Sequence, residues 1–273
     1  SRLTQELLSC GADIVEMNTI RKRLSAVKGG RFAQLCAPAL VYSIVLSDIV
    51  GDPLDMIASG PAYPDASTAE QALAIVKKYA LHLSDEALSC LEAPTPNHLS
   101  NVETHITGSV RALCAAAQDA AQKLGFQCRM LTDCLDCEAR EAGRFLASIA
   151  RSHQQTERPL AFFAGGETVV HLTGQGLGGR NQELALAAAP GLRGTQNTAV
   201  CSFGSDGTDG PTDAAGGFVD QSSDAALHTA GLDVPQVLAE NDAYHALQKI
   251  GGLLMTGPTG TNVNDLAMVL IWR

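Results

Sequence analysis

Runs of consecutive apolar residues predict the strands of this chain. The runs at residues 40–46 and 198–203 have no polar alternation, which is typical of strands in a sheet covered on both faces. Residues 160–164 and 168–172 flank a short Gly-Gly-Glu turn and predict two paired strands. A last apolar run at 266–272 predicts the strand that closes the chain.

Helical spacing of apolar residues appears between these strands. Asp13 and Glu16 form the pattern of a capping box and predict a helix over 14–25. Ser109 predicts the start of a helix over 110–124, and Gly125 its end. Further helices are predicted at 4–10, 67–79, 137–150, 224–230, 234–240 and 242–250, and the glycine-rich stretch 174–183 opens a helix that runs through residue 189.

This alternation of strands and helices predicts an α/β fold with parallel or mixed sheets covered by helices. Short strands at 104–107 and 127–131 flank the helix at 110–124, so we expect these two strands to pair in parallel through a right-handed crossover. The polar residues 151–158 predict a linker between two α/β domains, 1–156 and 157–273.

A glycine-rich loop follows the strand at 198–203 and carries Asp206, Asp209 and Asp213. Glycines let a loop approach a ligand closely, and clustered carboxylates suit a hard cation such as Mg²⁺ or a polyhydroxy substrate. The carboxyl end of a buried strand is also where open α/β sheets bind ligands. The alternative is a long turn whose aspartates cap it locally.

Two earlier stretches repeat this combination of glycine with polar residues. Asp48 and Asp52 come directly after the strand at 40–46. Lys28 and Arg31 flank a glycine pair, which predicts either a solvated basic face or a corner that binds an anion.

Gly174, Gly176 and Gly179 match G-x-G-x-x-G before a helix. A dinucleotide fingerprint also requires an acidic residue about 20 positions later, and the chain has an apolar strand there. We therefore interpret these glycines as a tight turn near a ligand. Cys134 and Cys137 have redox or zinc spacing, but no second Cys or His pair accompanies them, so we expect no function for them.

Composition restricts the partners. A net charge of −10 argues against nucleic acid as a ligand. The sequence has no apolar run long enough to span a bilayer, and its scattered cysteines fit a reducing cytoplasm. We expect a small-molecule substrate and no membrane or nucleic-acid partner. If the chain forms an oligomer, we expect a homodimer.

Five stretches resemble the glycerate 2-kinases of the MOFRL type, which are also labelled hydroxypyruvate reductases. They are GADIVEMNTIRKRLSAVKGGRFA (11–33), LSDIVGDPLDMIASGP (46–61), AGGETVVHLTGQGLGGRNQELAL (164–186), GSDGTDGPTDAAG (204–216) and TGPTGTNVNDL (256–266). The resemblance implies phosphorylation of D-glycerate to 2-phosphoglycerate, with ATP as co-substrate and Mg²⁺, in a cleft between two α/β domains.

Within these stretches we predict three groups of site residues. The catalytic residues are Lys28, Arg31, Arg180 and Asp206, and the metal ligands are Asp206, Asp209 and Asp213. Substrate or nucleotide binding is predicted for Asn18, Arg21, Asp48, Asp52, Ser59, Gly166, Glu167, Gly179, Asn181, Glu183, Gly207, Thr208, Gly257, Thr259, Gly260, Asn262 and Asn264.

The family pattern also includes an upstream segment with a G-K-A lysine held to be catalytic, and this chain has no such segment. The resemblance thus covers the C-terminal two thirds of a family member, and we expect an incomplete first domain and no useful turnover by residues 1–273 alone. Two alternatives stay open: an NAD(P)H-dependent hydroxypyruvate reductase, and a fragment that binds a ligand without catalysis.

Overall fold

The computed structural model describes residues 2–47, 49, 51 and 53–273. The helices are α1 Arg2–Ser9, α2 Ile14–Leu24, α3 Arg31–Cys36, α4 Ala69–Lys78, α5 Asp85–Glu92, α6 Val110–Lys123, α7 Ala139–Ser152, α8 Arg180–Ala188, α9 Ser223–Thr229, α10 Val234–Ala239 and α11 Ala243–Ile250. The strands are β1 Val41–Leu46, β2 Val102–Gly108, β3 Gln127–Leu135, β4 Leu160–Gly166, β5 Thr198–Gly204, β6 Gly216–Asp220, β7 Leu253–Leu254 and β8 Asp265–Ile271.

The described residues form two compact units. The first comprises residues within 1–45 and 52–107, and the second those within 46–51 and 108–273. Both the mixed α/β character and the covering of a sheet by helices are confirmed. The predicted domain boundary at 156 does not separate these units, because β3 pairs in parallel with β4 and thereby ties residues 127–135 to the later strands.

Unit 1 is held together by four helices. Leu7, Met17, Ile20 and Leu91 belong to its buried cluster, to which α1, α2, α4 and α5 contribute. The predicted capping box of Asp13 and Glu16 opens α2.

Buried ion pairs add to this packing in unit 1. Lys22 is almost fully buried and contacts Asp55 at 2.7 Å and Asp65 at 3.5 Å. Such a pair is costly to break from one side, because the remaining charge would be left buried without compensation.

Unit 2 is built on a six-stranded mixed sheet in the order β3-β4-β8-β5-β6-β7. The last strand, β8, lies antiparallel between β4 and β5. Every residue of β4 is buried, as expected for a strand with helices on both faces. Leu160 and Phe162 join the core under α7 to α11, whereas Ala161 and Phe163 pack with α6 on the opposite face.

Several predicted elements differ from the structure. Residues 168–172 form no strand, and Val169 makes only an isolated bridge to Glu138, because β8 occupies the position next to β4. β2 pairs with β1 and not with β3, so the predicted parallel pairing of 104–107 with 127–131 is wrong. The strand at 40–46 is present as β1. Its apolar run predicted a strand covered on both faces, but Tyr42 and Ile44 are 63% and 72% exposed.

Candidate active site

Three strands of unit 2 bring their ends to one edge of the sheet. Asp265, the first residue of β8, aligns with Gly166, the last of β4, and with Gly204, the last of β5. The loops that follow β4 and β5 and the loop that precedes β8 therefore meet at this edge. All three belong to stretches predicted to form the site.

The predicted meeting of the aspartate loop and the loop before β8 is confirmed. The Thr259 N–H donates to Asp206 O at 3.0 Å, and the Thr259 hydroxyl donates to Ser205 O at 2.6 Å. Val263 N–H donates to Ser205 Oγ at 2.8 Å. Gly207 has φ of 87°, and a Cβ there would clash with Gly257 O, so glycine is required for this contact.

Arg180 begins α8 and lies beside two carboxylates. Its Nε and Nη2 donate to Asp265 at 2.5 and 3.1 Å, and its Nη1 donates to Glu167 at 2.7 Å. Asn264 donates to the other oxygen of Glu167 at 3.3 Å. Burial alone would lower the pKa of Arg180, but the hydrogen bonds and charge of Asp265, with the charge of Glu167, raise it above its usual value.

Asp209 caps the N-terminus of the same helix from a distant loop. Its carboxylate accepts from Gln182 N at 2.8 Å and from Asn181 N at 3.1 Å. A Cβ on Gly179 would clash with Asp209, so the glycine lets the loop and the cap meet. Burial raises the pKa of Asp209 to about 6, against the effect of the N–H groups that it accepts from.

A cavity of about 980 Å³ lies over these loops in unit 2. Carboxylates and amides line it together with an apolar wall. The lining residues are Glu167, Thr168, Val169, Val170, Leu172, Gly174, Gln175, Gly176, Gly178, Gly179, Arg180, Glu183, Asp206, Thr208, Asp209, Gly210, Pro211, Asn241 and Asn262. Among these described residues, Arg180 is the one with a permanent positive charge, so the cavity carries excess negative charge.

The predicted three-aspartate metal site is not formed. Asp209 is committed to the α8 cap, Asp213 accepts from the Tyr244 hydroxyl at 2.7 Å, and Asp206 accepts from Thr208 N at 2.9 Å. Within the described part of the chain, no group of three Asp, Glu, His or Cys residues could hold a metal ion. The hydrogen bond of Asp206 is therefore a local turn contact, as the alternative interpretation of this loop expected. Asp209, in contrast, caps a helix that is distant in sequence.

The residues predicted in unit 1 make contacts of their own. Lys28 Nζ donates to Ala58 O at 2.7 Å, and burial, with repulsion from Arg21, lowers the pKa of Lys28. Arg31 donates to Lys22 O and Ser25 O at the end of α2. The Ser59 hydroxyl donates to Asn18 at 2.8 Å.

These contacts stabilise unit 1 locally, and catalytic or binding roles for its residues stay predictions. Asp48 and Asp52 lie outside the described residues.

Cys134 is exposed, and its hydrogen bond with Asp133 raises its pKa, which opposes the reactive thiolate that a redox motif needs.

The remaining predicted residues lie on the loops around the cavity or beneath them. Thr208 and Asn262 line the cavity, whereas Gly257 and Gly260 have positive φ in the loop before β8. Asn181 is buried and accepts from the Ser202 hydroxyl at 2.5 Å. Gly166 has φ of 152°, and a Cβ there would clash with the Leu135 backbone.

Sequence reasoning missed Asn241, Asp242, Asp265 and Arg140. Arg140 and Asn241 contact the buried Glu183 at 2.9 and 3.2 Å. Burial raises the pKa of Glu183, while both partners stabilise its charged form. Asn241 stands alone between the helices predicted at 234–240 and 242–250, and this position was a signal for a left-handed turn, since Asn tolerates positive φ and Asn241 has φ of 54°.

Comparison with known proteins identifies the family. Residues 1–92 match the domain described as "Domain of unknown function (DUF4147)", and residues 160–265 match the MOFRL family. The chain is 55% identical to the D-glycerate 2-kinase of Thermotoga maritima over 99% of this chain and 66% of that protein. A crystal structure of glycerate kinase from that organism has a TM-score of 0.94, with 99% of this chain and 66% of that chain covered.

Two further relatives carry different names. A putative hydroxypyruvate reductase of Agrobacterium vitis is 39% identical over 98% of this chain and 72% of that protein. Glycerate kinase of Macaca fascicularis is 36% identical, with 98% of this chain and 82% of that protein covered. The chain spans just under two thirds of the length of the Thermotoga relative. The chain belongs to the glycerate kinase family, and all residues that line its cavity lie within the part that matches the MOFRL family.

Proposed function

We propose that this chain forms the substrate-binding part of a kinase that transfers phosphate from ATP to D-glycerate. The relatives named glycerate kinase support the reaction, and the position of Arg180 at the cavity is the structural observation that supports it most directly. Phosphoryl transfer is catalysed mainly by positioning and by neutralising charge on the transferred group. A guanidinium fixed at two points supplies both.

The partners of Arg180 indicate how an anion reaches it. Asp265 is 9% exposed and holds Nε and Nη2, whereas Glu167 is 45% exposed and holds Nη1. An exposed ion pair contributes little free energy, so the Glu167 bond is the one that solvent or a ligand exchanges more easily. We propose that the carboxylate of glycerate or a phosphate competes with Glu167 for Nη1, while Asp265 keeps the guanidinium in place.

The negative charge of the cavity favours a nucleotide that arrives with its cation. Glu167, Asp206 and Asn262 offer carboxylate and amide oxygens, the donor types that Mg²⁺ takes. Mg²⁺ is commonly bound by one or two carboxylates together with substrate phosphates. When bound, the ion would neutralise phosphate charge, and Asp206 would hold it.

The contacts of the glycine loop at residues 174–179 fit a kinase better than an enzyme that binds a nicotinamide cofactor. Gly174 N–H donates to Asn241 and Gly176 N–H donates to Glu240 O, so neither amide is directed to a pyrophosphate. A Cβ on either glycine would clash with residues 240–242. These glycines are therefore explained by packing of the loop, in contrast to the dinucleotide fingerprint, where they approach a cofactor.

Direct binding measurements test the proposal on this polypeptide. Calorimetric titration with MgATP and with D-glycerate should give saturable binding that Arg180→Lys weakens, whereas Arg144→Lys, which changes an exposed ion pair on α7, should not weaken it. Titration with NADH serves as the competing arm. Binding of NADH without binding of MgATP would overturn the kinase proposal in favour of a reductase.

A further inference from the structure

We propose that Asn241 is a positioning residue, which shapes the cavity by holding the loop of residues 171–177 on the connection between α10 and α11. This proposal rests on the proposed function, because it assigns the loop a role in substrate affinity. Asn241 is 5% exposed, lies between the two helices and lines the cavity.

The side chain of Asn241 uses both ends of its amide. Its Oδ1 accepts from Thr173 N at 2.7 Å and from Gly174 N at 2.9 Å. Its Nδ2 donates to His171 O at 3.1 Å and to Glu183 Oε2 at 3.2 Å. One side chain therefore joins three backbone groups of the loop, at residues 171, 173 and 174, to the buried carboxylate of Glu183 in α8.

The residues next to Asn241 also bind the loop of residues 171–177. Gly176 N–H donates to Glu240 O at 2.8 Å, and Leu177 N–H donates to Asp242 Oδ1 at 2.9 Å. The Thr173 hydroxyl donates to Ala239 O at 2.7 Å. Residues 239–242 thus contact the loop along its length, and Asn241 provides the central contacts.

The chemistry of asparagine explains why this residue occupies the position. Its φ of 54° is in the left-handed region, which Asn tolerates better than most residues. The amide supplies an acceptor for the loop and a donor for Glu183 at once, which neither Asp nor Leu can do. Buried polar groups of this kind specify one arrangement when every member is satisfied.

The loop that Asn241 holds forms one wall of the cavity. Leu172, Gly174, Gln175 and Gly176 all line it. If the loop were free, a ligand would have to order it on binding, and that cost would appear as weaker affinity. The chemical step would be affected less, because Arg180 is held separately by Asp265.

Asn241→Gly tests the proposal, since glycine keeps the positive φ and removes the side-chain contacts. The matched control is Asn197→Gly, at an exposed asparagine with φ of 47° before β5. Hydrogen–deuterium exchange should be at least about tenfold faster for 171–177 in Asn241→Gly and unchanged in the control. In a chimera completed with the part of the Thermotoga relative that this chain does not match, KM for MgATP or D-glycerate should rise about tenfold, with kcat within about threefold.

Gly174→Ala provides a second variant that keeps Asn241 and would stay informative if Asn241→Gly failed to fold. Its Cβ would clash with the Glu240 backbone and displace the loop, so the same exchange and KM changes are expected. Unchanged exchange over 171–177 in either folded variant would overturn the proposal, as would a fall in kcat at constant KM. If this chimera has no kinase activity, the proposed function fails, and the exchange measurement still decides whether Asn241 holds the loop.

Discussion

Arg180 and Asp265 form a two-point ion pair between the first residue of α8 and the first residue of β8. The pair fixes the guanidinium at the edge of the sheet where the loops after β4 and β5 meet. Asp265 is 9% exposed, so Arg180 pairs with a carboxylate that is largely removed from solvent. The relationship connects the topology of unit 2, in which β8 lies between β4 and β5, to the chemistry of the cavity.

Arg180→Lys should weaken both binding and stability. Lysine keeps the charge but loses the planar two-point contact with Asp265, and a poorly paired buried carboxylate costs about 1–3 kcal/mol. Urea unfolding should show this loss, and the calorimetric Kd for D-glycerate should rise. Arg144→Lys, at an exposed pair with Glu141, should change neither. Equal stability of the Arg180→Lys protein and the wild type would show that the pair has no such role.

Glu167→Gln should strengthen the binding of anionic ligands. The substitution removes one negative charge from the cavity and weakens the competitor for Arg180 Nη1. We expect the calorimetric Kd for D-glycerate to fall severalfold, without loss of folding stability, since Glu167 is 45% exposed. A higher Kd would instead place Glu167 among the groups that the substrate needs in charged form.

Asp209→Asn should remove a specific pH dependence of stability. The folded protein holds the proton of Asp209 up to about pH 6, whereas an unperturbed Asp has a pKa of 3.8. The folded state therefore binds more protons in this window, and wild-type stability falls as pH rises from about 4 to about 6, by up to roughly 3 kcal/mol from this group.

The measurement is urea unfolding across that pH window. The free energy of unfolding of the wild type, relative to that of Asp209→Asn, should decrease with rising pH and level off above about pH 6. Asp119→Asn, at an exposed ion pair on α6, is the control and should follow the wild-type curve. A difference between wild type and Asp209→Asn that does not vary with pH would contradict the prediction.

Gly143→Ala should destabilise unit 2 by about 1–3 kcal/mol or more. Gly143 lies in α7, and a Cβ there would clash with the backbone oxygen of Leu184 in α8. Relief would require the two helices to separate, which disturbs the helix that carries Arg180. Thermal unfolding should show a lower Tm, whereas Ser148→Ala on the exposed side of α7 should stay near the wild type. A wild-type Tm for Gly143→Ala would mean that α7 and α8 separate at no cost.

The local elements of the fold could be predicted from sequence because their signals are local. Asp13 and Glu16 predicted the start of α2, and the apolar run at 198–203 predicted β5. Strand order could not be predicted, since β8 pairs with strands that precede it by more than sixty residues. For the same reason 168–172 looked like a partner of β4, a position that β8 occupies.

The site was predictable as a set of loops but not as a set of contacts. Glycines and aspartates after β5 marked the correct edge of the sheet. The pattern could not show that Asp209 caps α8 or that Asp265 holds Arg180, because both contacts join residues that are distant in sequence. Asn241 was missed because a lone asparagine between helices resembles any turn. A homodimer and a cytoplasmic location stay predictions.

Among the helices of the described residues, none combines the length and the apolar character needed to cross a membrane.

The central claim is tested most directly by a coupled ADP-release assay with ATP, Mg²⁺ and D-glycerate. It should be run on this polypeptide and on a chimera completed with the part of the Thermotoga relative that this chain does not match. We predict ADP release that depends on glycerate from the chimera, strongly reduced by Arg180→Lys, and no oxidation of NADH with hydroxypyruvate. Oxidation of NADH with no release of ADP from either polypeptide would contradict the account.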